Sequence, residues 1–153
     1  MRGGCACVAL EQIYTTIESL TADGRDQSLD YKISGFLVPR GSDDARVVAA
    51  IAPRGDEIVL AKSSASVFNS TSLEYVLRNI GIEQLAVCGI VSNQCIESTI
   101  RDAADRGFLC SMVTDATAAH CERDQLSAEH NLAGFARLDT TDNVLHALRA
   151  RPR

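Results

Sequence analysis

No apolar run in this 153-residue chain approaches the roughly 20 residues that a membrane helix requires. The segment from Cys5 to Leu10 is too short for a signal-peptide core and meets Glu11 at once. Position 2 is Arg, so the N-myristoylation pattern is absent and the chain reads as cytoplasmic. Basic excess is missing too. Lys and Arg number 15 against 20 Asp and Glu, a net charge of −5. Such a surface lacks the basic footprint that a phosphate backbone or an anionic membrane demands. The C-terminal Arg149, Arg151 and Arg153 read as a solvated helix end, where cations suit the helix dipole. No G-x-G-x-x-G or P-loop glycine pattern follows any predicted strand, which argues against a nucleotide-binding domain. No C-x-x-C spacing occurs among the six cysteines at 5, 7, 88, 95, 110 and 121. Zinc ribbons and dithiol redox motifs are thereby excluded, and Cys5-x-Cys7 alone carries little. No internal repeat or linker is visible.

What remains is an ordinary globular composition, 46% apolar and 23% charged, at the size of one domain. The second half alternates β-rich runs with helical stretches. Residues 57–61 predict a buried strand. Leu73, Val76, Leu77 and Ile80 recur at helical spacing between a Thr71 cap and a Gly81 stop. Residues 84–90 form a near-continuous apolar run, the pattern of a strand covered on both faces. A helix is expected over 94–106, a strand over 108–113 stopping at Asp115-Ala116, a helix over 122–134, a short strand over 136–138 and a helix over 142–149. That alternation predicts an α/β domain, a three-layer α/β/α Rossmann-like parallel sheet with right-handed crossovers. The first half is less regular: a strand over 10–17, a long polar loop over 21–43, and a short helix over 44–51. A loop that long in a small domain is usually functional or an interface element.

Ligands bind at the carboxyl edge of such sheets, and three features converge there. Gly89-Ile-Val-Ser-Asn-Gln-Cys95 is a strand-to-helix turn that places Cys95 in the first turn of a helix. The free N–H groups of that terminus favour a thiolate and could hold an oxyanion. Lys62 directly follows the strand over 57–61, so its ammonium reaches the same edge. Asp115 ends the next strand and reads as a turn cap. Cys88 and Cys110, within apolar runs, read as small hydrophobes. Glu18 either lines the site, or stands in for an acid, or is structural. Arg25 and Asp26 either bind substrate or pair across the loop. Asn93 lies beside the turn, within reach of a substrate. His120 is on the correct edge for a Cys–His pair, while His130 and His146 read as surface residues.

These residues carry a resemblance. The run from Cys88 to Phe108, the segment Ala-Lys-Ser-Ser-Ala-Ser-Val-Phe-Asn-Ser-Thr-Ser-Leu over 61–73, and Asp115-Ala116 together resemble the isochorismatase-like cysteine hydrolases. The likeness spans roughly residues 10–140. Residues 14–34 look most like members that act on ureido or amide substrates. The resemblance implies an Asp-Lys-Cys triad on a Rossmann-like sheet. Cys95 matches the nucleophile and Lys62 the triad lysine. A non-proline cis peptide is implied between Ile90 and Val91, with the N–H groups of Val91 and Cys95 forming the oxyanion hole. Asn93 and Glu18 are the candidate substrate contacts. True isochorismatases cleave a vinyl ether without this cysteine, so Cys95 argues against that reaction here. Family nicotinamidases hold a metal through Asp-x-His; this chain has no Asp-x-His, so neither metal nor cofactor is expected. A small amide or ureido substrate and homo-oligomerisation are expected, with neither nucleic acid nor membrane as a partner.

The triad Asp ends the family's first strand, which is central in the sheet, and nothing upstream of residue 10 resembles it. Roughly 30 residues, one strand and helix, are expected to be missing, with residues 4–10 a candidate replacement. The expectation is a truncated or divergent form. The alternative to an enzyme is then an inactive homologue serving as a structural or regulatory subunit.

Overall fold

The computed structural model describes residues 10–150. Cys5, Cys7, Arg151, Arg153 and all but the last residue of the 4–10 segment lie outside them. Five strands alternate with six helices: β1 Ile13–Ile17, α1 Leu29–Ser34, β2 Ile58–Lys62, α2 Val67–Ser70, α3 Leu73–Ile80, β3 Gln84–Ile90, α4 Glu97–Asp105, β4 Leu109–Ala118, α5 Glu122–Leu132, β5 Ala136–Asp139 and α6 Thr141–Arg149. Every strand pair is parallel, as helical crossovers require. β1 pairs with β2, and β3, β4 and β5 form a second sheet in that order. Among the described residues no strand joins the two sheets.

One hydrophobic cluster binds the elements. Leu73 and Leu77 of α3, Ile100 and Ala103 of α4, Ala128 and Leu132 of α5, and Cys110 and Met112 of β4 are buried together. Ile13 of β1 and Leu60 of β2 pack against it, so the smaller sheet joins the same core. The spacing of these residues explains the elements. Positions four apart on a helix share a face, and alternate positions on a strand share another.

Several boundaries differ from expectation. Ser72, not Thr71, takes the capping position of α3, although the Thr71 hydroxyl still accepts the Leu73 N–H at 3.1 Å. Gly81 ends α3 in the left-handed conformation, at φ 76°. β4 runs through Asp115-Ala116 to Ala118 instead of stopping there, because its far end resumes pairing with Gly89 and Ile90 after a register shift. The expected helix over 44–51 is two 3₁₀ turns, Asp43–Ala45 and Ala49–Ile51. The polar loop over 21–43 contains a helix, α1, which apolar periodicity could not reveal in six residues.

β3 corrects a further expectation. It is not covered on both faces. Leu85 and Val87 pack on the core, while Gln84, Ala86, Cys88 and Ile90 are exposed, Ile90 at 73%. Apolar composition alone could not distinguish a covered face from an open one. Cys88 is therefore an exposed thiol, not a core residue. Cys110 is fully buried, and burial pushes its thiol up to about 11, so it stays protonated and packs as a small hydrophobe.

Candidate active site

The end of β2 and the turn after β3 meet at the carboxyl edge. Lys62 is the last residue of β2 and points into the core side, 4% exposed. A buried ammonium must satisfy its three protons, and the chain after β2 curls to do so. Lys62 Nζ donates to the carbonyl oxygens of Ser64 at 2.8 Å and Ala65 at 3.0 Å. Ser64 and Ser70 hydroxyls bond each other at 2.8 Å, and Ser70 Oγ accepts the Ser63 N–H, which holds that curl.

Cys95 lies in a π-helical turn, Ser92–Ile96, that opens directly into α4. The peptide between Ile90 and Val91 is cis, as the resemblance implies, and Gly89 adopts φ +118°, a conformation open to glycine. The turn is pinned from behind. The fully buried Ser92 donates its hydroxyl to Gln125 Oε1 at 2.5 Å, and Gln125 Nε2 donates to Thr117 Oγ1 and Glu129 Oε1. Cys95, 8% exposed, thereby has its sulfur fixed 3.3 Å from Lys62 Nζ. A cation at that distance in a buried site complements a thiolate.

Sequence reasoning missed Tyr31. It sits on α1, 6% exposed, with its hydroxyl 3.2 Å from Lys62 Nζ and 3.5 Å from Cys95 Sγ. Burial, then the hydrogen bond and negative charge of Cys95, hold its phenol well above the ordinary tyrosine range. Its sequence signal is slight: it is one of two aromatic side chains, with Phe36, in an irregular loop.

The loop is anchored to the site. Ser28 N–H donates to the Ser63 carbonyl at 2.9 Å, and Ser63 Oγ donates to the Asp26 carbonyl. The Asp26 carboxylate accepts the N–H groups of Leu20 and Thr21 and the Thr21 hydroxyl. Burial pushes its pKa up, but these hydrogen bonds outweigh that and bring it down to about 2 from 3.8. Asp26 thus shapes the loop, while Arg25 pairs with Asp23 on the surface. A carboxyl with a depressed folded-state pKa stabilises the fold above its unfolded value. That contribution is lost as pH falls from about 4 through about 2. Asp26→Asn is expected to lower stability by about 1–3 kcal/mol at pH 7, and by less as the pH approaches 2. Urea denaturation of both proteins at the two pH values measures this.

Other expected site residues fall elsewhere. Glu18 accepts the Gly41 N–H at 2.6 Å. With Thr16, Arg46, Val59 and Ala61 it lines an open cavity of about 610 Å³. Thr16 and Ala61 alternate with Ile17 and Lys62 along their strands, so this cavity is on the opposite sheet face from the Lys62 side chain. The structure does not bring Glu18 to Cys95. Asn93 is in the turn, and its Oδ1 is buried without a hydrogen-bond partner. Asp115 accepts the N–H and hydroxyl of Thr141 at the start of α6, which lowers its pKa. It acts as a cap. His120, His130 and His146 are exposed. Among the described residues, the groups around Lys62 Nζ include no carboxylate, so the acid of the implied triad has no counterpart here. Among the described residues, no group of three or more His, Cys, Asp or Glu is placed to hold a metal ion, and no helix is long and apolar enough to cross a membrane.

Fold and site together define an α/β protein with a lysine-paired cysteine in a cis-peptide turn at the edge of parallel strands. The chain belongs to the isochorismatase family, whose isochorismatase-domain model matches residues 7–143. It is similar to nicotinamidase 3 of Arabidopsis thaliana, 33% identical over 118 residues, 75% of this chain and 60% of that protein. It is similar also to ureidoacrylate amidohydrolase RutB of Azorhizobium caulinodans, 34% identical over 105 residues, 68% of this chain and 46% of that protein. The chain thus spans about half the length of the curated relatives it matches. Among solved structures, a cysteine hydrolase from Pseudomonas syringae superposes with a TM-score of 0.84 at 28% identity, covering 92% of this chain and 72% of that one. N-carbamoylsarcosine amidase from Thermoplasma acidophilum superposes at 0.74 and 26% identity, covering 88% and 74%.

Proposed function

We propose that this chain carries the nucleophilic centre of a cysteine hydrolase that cleaves a C–N bond in a small amide or ureido compound. The observation that carries the reading is the buried Cys95 Sγ, 3.3 Å from the Lys62 ammonium. The thiolate attacks the carbonyl carbon, and the oxyanion is received by the N–H groups of Val91 and Cys95. Collapse expels the amine and leaves a thioester, which water hydrolyses. Asn93 Oδ1, two residues before the nucleophile in the same turn, is a buried acceptor without a partner. An amide or urea has an N–H to fill it, and a buried unpaired acceptor gains from being filled. Relatives named for nicotinamide, ureidoacrylate and N-carbamoylsarcosine support the substrate class.

Cys88, Cys95, Cys110 and Cys121 are free thiols, which suits a reducing cytoplasm. The exposed apolar side of β3 suits contact with a second copy. The second reading is a homologue without turnover. Its support is the carboxylate-free surrounding of Lys62. Ammonia release from nicotinamide, ureidoacrylate and N-carbamoylsarcosine separates the two. Release above background from any of them is the expected result, and none from all three favours the second reading.

A further inference from the structure

We infer that Tyr31 is a catalytic residue that hands its hydroxyl proton to the leaving nitrogen and is reloaded by Lys62. The inference rests on the nucleophilic role of Cys95 proposed above. Lys62 Nζ has three protons and four acceptors around it, namely Ser64 O, Ala65 O, Tyr31 Oη and Cys95 Sγ. With the ammonium donating to Tyr31 Oη, the single phenol proton is directed at the sulfur, 3.5 Å away. The result is a directional chain from Nζ–H through the phenol to the thiolate. Tyr31 is fixed for this by burial, by the tilted contact of its ring with Phe36 at 5.5 Å, and by the ties of its loop to Ser63.

The chain changes state when the sulfur reacts. The thiolate pair forms the S–C bond, and the carbonyl π pair moves to oxygen. Burial still holds the phenol proton, but the negative charge and the hydrogen-bond acceptor that add to its hold then leave the sulfur. The nitrogen of the tetrahedral intermediate is two bonds from that sulfur, close to the freed hydroxyl. On collapse the C=O bond reforms and the C–N bond breaks. Its electron pair takes the Tyr31 proton, and Lys62 Nζ returns a proton to the phenolate and becomes a neutral amine. In the second half, that amine removes a proton from water through Tyr31, the new O–C bond forms, and the C–S bond breaks to regenerate the thiolate. One water is consumed, and acid and amine are released with every proton accounted for.

A leaving group that departs without a proton tests the relay. Hydrolysis of nicotinamide and acetamide is compared with that of p-nitrophenyl nicotinate and p-nitrophenyl acetate in the wild type and in Tyr31→Phe, which keeps the ring. Loss of about 10²-fold or more in amide kcat/KM with less than about threefold loss on the esters is the expected result. Equal losses on amide and ester, or an unchanged amide rate, overturn the relay. If the variant does not fold, the wild type decides. A solvent deuterium isotope effect on amide acylation larger than on ester acylation is expected, and equal effects overturn the relay. Ester acylation that depends on Cys95 without any amide turnover also ends the relay while leaving the nucleophile in place. Absence of acylation at Cys95 by either ester refutes the nucleophile reading itself.

Discussion

Cys95→Ala is expected to bring hydrolysis of the amide panel to background, a loss of at least about 10³-fold. The size follows from the step removed. Without sulfur there is no covalent intermediate, and water must attack an unactivated amide unaided. The substitution is small in packing terms. Cys95 lies between the ammonium and the phenol more than among core side chains, so the loss reads on kcat and not on the fold. Cys88→Ala and Cys121→Ala are the matched controls, since both thiols are exposed and outside this cluster. Retained turnover in Cys95→Ala, with loss in a control, assigns the chemistry elsewhere.

Lys62→Met is expected to cost about 10²- to 10⁴-fold in kcat, the range typical of a positioned proton-transfer group. Methionine approximates the stem and removes the charge. Three effects follow from the same contacts. The sulfur loses the cation 3.3 Å away, the phenol loses its donor, and the carbonyls of Ser64 and Ala65 lose theirs. Each buried carbonyl left unpaired costs about 1–3 kcal/mol, so a fall in stability accompanies the fall in rate. Urea denaturation alongside kinetics separates the two. Lys62→Arg is expected not to restore the rate, because a guanidinium presents its donors in a fixed planar fork, whereas the compact ammonium here serves two carbonyls, a phenol oxygen and a sulfur around one atom. A Lys62→Met protein that folds normally and turns over at the wild-type rate contradicts the account.

The α/β scaffold was legible in the sequence, and so was the convergence of Cys95 and Lys62 at one edge of it. Cys95 and Lys62 are readable because Lys62 directly follows one strong β pattern and Cys95 lies in the turn that follows another, and parallel strands present their carboxyl ends at one edge. The helical crossovers were readable for a related reason. Leu73 and Leu77, Ile100 and Ala103, and Ala128 and Leu132 are buried in pairs three or four apart, the spacing that a helix brings to one face. Tyr31 was not readable. Its helix is six residues long and displays no periodicity, and its partners are 31 and 64 residues away. Glu18 was misplaced for the opposite reason. It ends a strand at the correct edge, but the alternation of side chains puts its neighbours Thr16 and Ala61 on the other face, and the carboxylate turns to Gly41. The open face of β3 was illegible because an apolar strand reads the same with or without a covering layer.

The most direct measurement is the mass of the Cys95 peptide from protein quenched in acid during turnover of an amide or its p-nitrophenyl ester. An added acyl group on Cys95 is expected, absent from Cys95→Ala and short-lived in the wild type. Hydrolysis in progress with Cys95 unmodified, or with the acyl group on Cys88 or Cys121, would contradict it.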